Sequence, residues 1–516
     1  MGASCVADSV WLNRLTPCVC SKDCAAIVVF FLLLCCGSQH AAGQRVQNWD
    51  PPAIDVFPDH NEFASSQRPL DELIAMGRKL FRASFNLVDG AGRPNATGDS
   101  KPTIRITSNA PAFQRIAGPD ANSCAGCHNR PIVGGAGDFA TNVFVGAHLT
   151  DPPVSMIEAA ITSERHTLSI FGDGAIEMVA REMSTELQDQ REAARMRTKV
   201  THTEERVLLQ AKGVMFGSIT VRPDGSYSTD QLEGIDSDLI VKPFGVKGVA
   251  VSLREFTNFA LNQHHGMQSE ERFGWARTGV RDFDGDGVEN EVTVGQISAM
   301  TIYQASLPPP RRVSYSDPRK EQLAHVGEQR FADAGCTSCH IPFLPLRSAW
   351  FFEPSPFNRP GSIVPSDVAG QIALAIPVEA GTAVYRTPEG DVRVQAYSDL
   401  KRHVICDVED PFFCNERRRQ DFVPTDQFLT HKLWDVGSSE PYGHRGDLTT
   451  ISEAILHHAG EARPAQRAFL ALPDDDKRAI ILFLKSLQID ESAENPPTAQ
   501  KKLGLMFERK ERGVLR

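Results

Sequence analysis

Basic runs are missing from this sequence. Lys and Arg total 54 against 65 Asp and Glu, a formal net charge of −11, and no basic aromatic stripe interrupts that balance. Nucleic acid is therefore not an expected partner. Long apolar runs are also scarce. The exception is "AAIVVFFLLLCC" (Ala25 to Cys36), shorter than the roughly 20 residues that a membrane span needs. Methionine is absent between His340 and Leu505. Of twelve cysteines, six lie between Cys5 and Cys36. The others are Cys124, Cys127, Cys336, Cys339, Cys406 and Cys414.

The apolar run has Arg14 and Lys22 upstream, and Ala41-Ala42-Gly43 after it fits a signal-peptidase site. Residues 1–43 are thus expected to be a signal peptide. The mature chain is expected to be periplasmic or otherwise exported, with no membrane span. In an oxidising compartment Cys406 and Cys414, the ends of "CDVEDPFFC", are expected to form a disulfide.

A chain of 516 residues exceeds one ordinary core. An internal duplication suggests how it divides. "LDELIAMGRKLF" (Leu70 to Phe81) has helical spacing with Gly77 and Phe81 on one face. "EQLAHVGEQRF" repeats the device with Gly327 and Phe331. A CxxCH comes after each, at Cys124–His128 and Cys336–His340. A further helix closes each unit, ending in Tyr303…Leu307 and Phe483…Leu487. The prolines of "LPPPRR" mark the junction.

CxxCH in an exported chain reads as covalent attachment of haem c, with the histidine as proximal ligand. A zinc ribbon needs more Cys or His pairs at short spacing, and none lies near either motif. A redox dithiol does not require the histidine. The expected fold is mainly α: two cytochrome c-like domains, 44–310 and 311–496, with large insertions and small β-hairpin content, then a polar tail, 497–516. The hairpin is expected around Pro388-Glu389-Gly390.

With methionine absent, the second haem needs another sixth ligand. "DLTTISEAILHHAG" reads as a helix capped by Thr450 and Glu453 and ended by Gly460. His458 continues its apolar stripe and is the candidate. For the first haem the candidates are His148 and His264, the latter favoured over His265 by helical phase, and an open position is equally compatible. "RDFDGDGVENE" places Asp282, Asp284 and Asp286 as a possible calcium loop, with Glu291 two places early for the usual bidentate acid.

From Leu70 to Gln488 the chain resembles the bacterial di-haem cytochrome c peroxidase superfamily. The resemblance rests on the two CxxCH motifs, "EPYGHRGDLTTISEAILHHAGEA" and "IILFLKSL". "SCAGCHNRPIVGG", "RFGWARTG" and "YSDL" followed by His403 resemble its di-haem oxidoreductase subgroup, sometimes called thiol oxidoreductases. The subgroup often has His-Asp-Met-Gly where this chain has His403-Val-Ile-Cys. The resemblance implies that His444 sits near the second haem and that His458 is its distal ligand. It also implies a calcium between the haem domains and a tryptophan between the haems, for which Trp350 and Trp434 are candidates. "FTNFALNQHHGMQ" is similar to a segment of the di-haem rubber oxygenases.

The expectation is an exported di-haem oxidoreductase, peroxidase-like, with one electron-transfer haem and one reactive haem. Its partners would be a small-molecule oxidant or organic substrate and a redox protein. The alternatives are a haem-dependent oxygenase using dioxygen and a plain electron-transfer cytochrome. Glu177 and Glu182 are the carboxylates considered for O–O heterolysis.

Overall fold

The computed structural model describes residues 49–92, 121–138, 140–144, 162–416 and 419–489. The expected signal peptide, the polar tail and His148 lie outside them. Six helices organise the fold: α1 (Leu70–Arg82), α2 (Asp173–Thr201), α3 (Leu253–Ala260), α4 (Val294–Ser306), α5 (Pro318–Asp333) and α6 (Asp474–Ser486).

Each helix has a local cause. In α1, Leu73, Gly77, Leu80 and Phe81 form the buried face, with acids in the first turn and bases in the last, as the helix dipole favours. Thr293 and Gln296 form a capping box on α4. Asp317 caps α5, and Pro318 occupies its first turn.

The duplicated units superimpose in kind. In the first, α1 crosses α4; in the second, α5 crosses α6. Both crossings depend on glycine. A Cβ on Gly77 would stand 2.0 Å from the Ala299 carbonyl oxygen, and one on Gly327 would stand 1.9 Å from that of Ala479. One turn later Phe81 meets Tyr303 at 5.4 Å between centroids, and Phe331 meets Phe483 at 5.6 Å.

The junction is more than a stiff linker. Arg311-Arg312 pairs antiparallel with Leu487-Gln488, joining the start of the second unit to its end. The described residues form one compact unit. The second unit's insertion contributes Leu344, Phe351, Val384 and Val394 to the same buried cluster as Leu73 and Met300 of the first. A second cluster, around Phe331, Tyr397 and Phe483, fills the second unit.

The expectation of a mainly α chain with small hairpin content needs correction. The described residues also form six small sheets of two or three strands. One, Glu205–Ala211, Val214–Val221 and Tyr227–Leu232, packs on α2 in the first unit's insertion. The expected hairpin is present, with Val384 opposite Val394 across the 387–391 turn, and Leu344–Leu346 adds a third strand. Insertions that must cover a core with one face dry favour short alternating strands. Among the described residues, no helix is long and apolar enough to cross a membrane. Cys406 and Cys414 are joined by a disulfide.

Candidate functional site

Two cavities, of about 290 and 160 Å³, each contain one CxxCH in their lining. Cys124–Cys127 forms one helical turn, and the His128 N–H donates to the Cys124 carbonyl at 2.9 Å. The second motif copies this, with the His340 N–H donating to Cys336 at 3.0 Å. Each turn brings two thiols and an imidazole to one cavity.

The imidazoles are oriented alike. His128 Nδ1 lies 3.3 Å from the Gly135 carbonyl, and His340 Nδ1 lies 2.9 Å from that of Tyr397. With Nδ1 as donor, Nε2 keeps its lone pair, which suits metal ligation. Phe81 and Phe331 stand 5.9 and 6.1 Å from the two rings. Both histidines are half-buried because they face their cavities. That enclosure lowers each to about 4, so both rings are neutral.

His458 lines the cavity of His340. The Thr450–Glu453 capping box starts its helix, but the helix ends at Leu456 rather than Gly460. The Ala459 N–H is taken by Ile405, and the Gly460 N–H by Asp407, which draw the chain out of the helix. His458 Nδ1 donates to the Ala454 carbonyl at 2.6 Å, so its Nε2 has the same freedom as that of His340. His457 is turned away, stacked on Phe412 at 4.0 Å and 3.1 Å from Asp410.

At the other cavity α3 runs into a π turn, Leu261–His265. The wider turn breaks the helical phase on which the preference for His264 rested. Both His264 and His265 line the cavity. His265 is the more buried, with Nδ1 2.5 Å from the Ala121 carbonyl and Nε2 3.7 Å from Cys124 Sγ. His264 lies within electrostatic reach of His128.

His444 lines the second cavity. Its Nε2 is 3.4 Å from Glu416 Oε1, and Glu416 also meets Arg165 at 2.6 Å and Lys247 at 3.1 Å. Burial, then Arg165 and Lys247, hold His444 well below the usual imidazole range. His403 lies between Asp399 and Glu461, 2.7 Å from each. Although burial opposes it, the bonds to Asp399, Cys339 and Glu461 raise His403 to about 11.

The tryptophan candidates fare differently. Trp350 is 51% exposed, on a strand; Trp434 is buried against Gly172. Neither is part of a cavity lining. Glu177 and Glu182 are also absent from both linings. Glu177 is ion-paired with Arg181 and accepts the Leu253 N–H at 2.8 Å. Glu182 meets Lys212 at 2.5 Å. Both ion pairs belong to the packing of α2.

Asp282, Asp284 and Asp286 bring carboxylate oxygens within 4.8 Å of one another. Asp282 accepts the Gly285 and Gly287 N–H groups at 2.7 and 2.9 Å, which closes the loop. Burial, and then the three aspartates, push Glu291 up to about 10. Glu291 stands outside that group, and its Oε2 accepts the Gln268 N–H at 2.6 Å. Such a concentration of carboxylates fits a hard cation.

Sequence reasoning missed the wall between the cavities. His166, Leu168, Ser169, Val246, His431 and Lys432 line both. No motif or periodicity marks these residues, because the wall is assembled from three distant segments.

The fold sets two glycine-dependent helix crossings beside two cavities, each lined by one CxxCH. Residues 390–487 match the family model described as "Di-haem oxidoreductase, putative peroxidase". Over that segment the chain is similar to the di-haem oxidoreductase family, in line with the resemblance read from the sequence. The segment contains His403, His444 and His458 and lies outside both CxxCH motifs.

No curated protein matches the chain. Among solved structures it is similar to hydrazine synthase of Kuenenia stuttgartiensis, at 13% identity over 86% of this chain and 99% of that one, with a TM-score of 0.32. A MauG-like protein associated with microbial copper homeostasis matches at 14% identity, over 88% and 98%, with a TM-score of 0.32. A variant of the di-haem peroxidase BthA from Burkholderia thailandensis matches at 13% identity, over 88% and 92%, with a TM-score of 0.35. These are distant likenesses, and no residue role is taken from them.

Proposed function

We propose that the chain is an exported di-haem c-type oxidoreductase of peroxidase type, with one electron-transfer haem and one reactive haem. The observation that carries this reading is the pairing of His340 with His458 in one cavity, each with Nδ1 tied to a backbone carbonyl. Haem c supplies one-electron chemistry and, where a coordination place is open, binding of peroxide or dioxygen.

Cys124 and Cys127, and Cys336 and Cys339, are the attachment points. His128 and His340 are the proximal ligands. His340 and His458 would together hold the second haem, and two imidazoles would suit it to electron transfer rather than to binding substrate. His444 shapes that pocket. At the first haem His264 is the ligand or site residue of choice, and reaction is assigned to this cavity. Asp282, Asp284 and Asp286 hold calcium. A redox protein exchanges electrons at the second haem.

One observation favours the oxygenase as a second reading. Asp173 is the one carboxylate among the described lining residues of the first cavity, and it is paired with Lys432 at 2.7 Å. Proton transfer to a leaving oxygen would fall to a histidine such as His264.

Pyridine haemochrome assay and mass spectrometry of the purified chain test the haem content. Two covalent haems are expected, and fewer would overturn the reading. Electron paramagnetic resonance and turnover then separate the alternatives. One low-spin and one high-spin haem with peroxide turnover supports the peroxidase. Oxygen uptake on an organic substrate supports the oxygenase. Two low-spin haems that persist after partial reduction, without turnover, support plain electron transfer.

A further inference from the structure

The wall common to the two cavities is built from His166 to Ser169, Val246 and the pair His431-Lys432. Its polar groups are accounted for with one exception. His166 Nε2 lies 2.8 Å from the Gly137 carbonyl, and its backbone N–H donates to His444 at 2.9 Å. Lys432 Nζ pairs with Asp173 at 2.7 Å and donates to the Ser169 carbonyl at 2.6 Å. The Ser169 hydroxyl accepts the Phe171 N–H at 3.2 Å. Nε2 of His431 is buried and has no hydrogen-bond partner among the described residues. Buried polar atoms are rarely left so, and each exception calls for an explanation.

We infer that His431 donates its Nε2–H to a carboxylate of the haem held in one of these two cavities, and so raises that haem's reduction potential. The inference rests on the haem reading above. Three observations carry it. His431 lines both cavities, so a group bound in either meets it. Lys432 beside it, and Arg165 in the first cavity's lining, add cationic N–H donors to this wall, each paired here with a carboxylate, Asp173 and Glu416. Nε2 of His431 has no partner among the described residues, so an N–H there is left to a bound acceptor. A role in holding the second iron is less economical, since His340 and His458 both line that cavity with Nδ1 tied to backbone carbonyls.

The physical consequence has a sign. A carboxylate that accepts a hydrogen bond has its charge partly neutralised. The ferric state, which gains from nearby negative charge, is then less favoured, and the potential rises. Removing the donor lowers it.

The test uses the complete holoprotein. Haem content is measured first; a wild-type chain without two covalent haems sinks the haem reading, not this one. Fully loaded His431→Leu and His431→Gln are then compared with wild type by redox titration, resonance Raman spectroscopy and electron paramagnetic resonance. His431→Phe replaces the leucine variant if that fails to load. The expected result is a lower midpoint potential and a shifted propionate-bending band in His431→Leu, with the axial-ligand signals unchanged. His431→Gln, which keeps an N–H donor, should recover most of both shifts. In the wild type the same band should move on exchange into D2O. An unchanged potential and band in a fully loaded leucine or phenylalanine variant overturns the inference. So does a changed axial-ligand signal, which would make His431 a ligand, or a wild-type propionate band insensitive to D2O.

Discussion

Gly327 lies against the backbone of Ala479 so closely that a Cβ placed on it would stand 1.9 Å from the Ala479 carbonyl oxygen. No side chain can yield there, because the obstacle is backbone. Gly327→Ala should therefore push α5 off α6 and cost at least the roughly 1–3 kcal/mol typical of overpacking. A thermal melt of the haem-loaded protein measures this, and an unchanged midpoint would show that the helices slide freely. Gly77→Ala should act likewise through Ala299.

His458→Ala should convert the second haem from low-spin to high-spin, since the imidazole held by the Ala454 carbonyl is its proposed sixth ligand. Loss of one low-spin signal in electron paramagnetic resonance is the expected outcome. His457→Ala should leave the signals intact, because that ring is stacked on Phe412. Identical spectra for wild type and His458→Ala would remove the assignment.

Glu177 gives a stability prediction with a definite sign. Burial raises it to about 7, against the pull of Arg181, from an ordinary value of 4.5. Between these values the folded chain holds a proton that the unfolded chain has released. Its contribution is complete below pH 4.5 and is lost as pH rises through 7. Melting temperatures of wild type should thus fall relative to Glu177→Gln over that interval. Parallel curves for the two proteins would contradict the shift.

Calcium should raise the melting temperature through the loop at Asp282, Asp284 and Asp286. A bound ion at a hundredfold excess over its dissociation constant stabilises by about 2.7 kcal/mol. Chelation should reverse the gain, and Asp284→Asn should shrink it. A wild type indifferent to both treatments would leave the loop as an acidic turn.

The four helices of the duplication were legible in sequence because their signals are local. Gly77 with Phe81 and Gly327 with Phe331 mark the crossing faces, and Thr293, Asp317 and Thr450 cap helix starts by short-range bonds. The hairpin at 384–394 was legible for the same reason. The other five sheets were not, since they are two- or three-strand patches whose alternation is short and whose pairing is decided by the cores they cover. Helical phase was also an incomplete guide to side-chain direction. It brought His458 to the cavity, but the π turn at Leu261–His265 brings both His264 and His265 to theirs.

By itself the sequence determined the two CxxCH units, the crossings that glycine permits and the likeness to the di-haem oxidoreductases. All of these depend on residues close together in the chain or on a repeated pattern. Tertiary structure alone decided which groups share the wall between the cavities. It left Trp350, Trp434, Glu177 and Glu182 out of the cavity linings and set His431 and His166 in one wall. Those relations span long stretches of chain, and only the packed core, where every buried polar atom needs a partner, selects them.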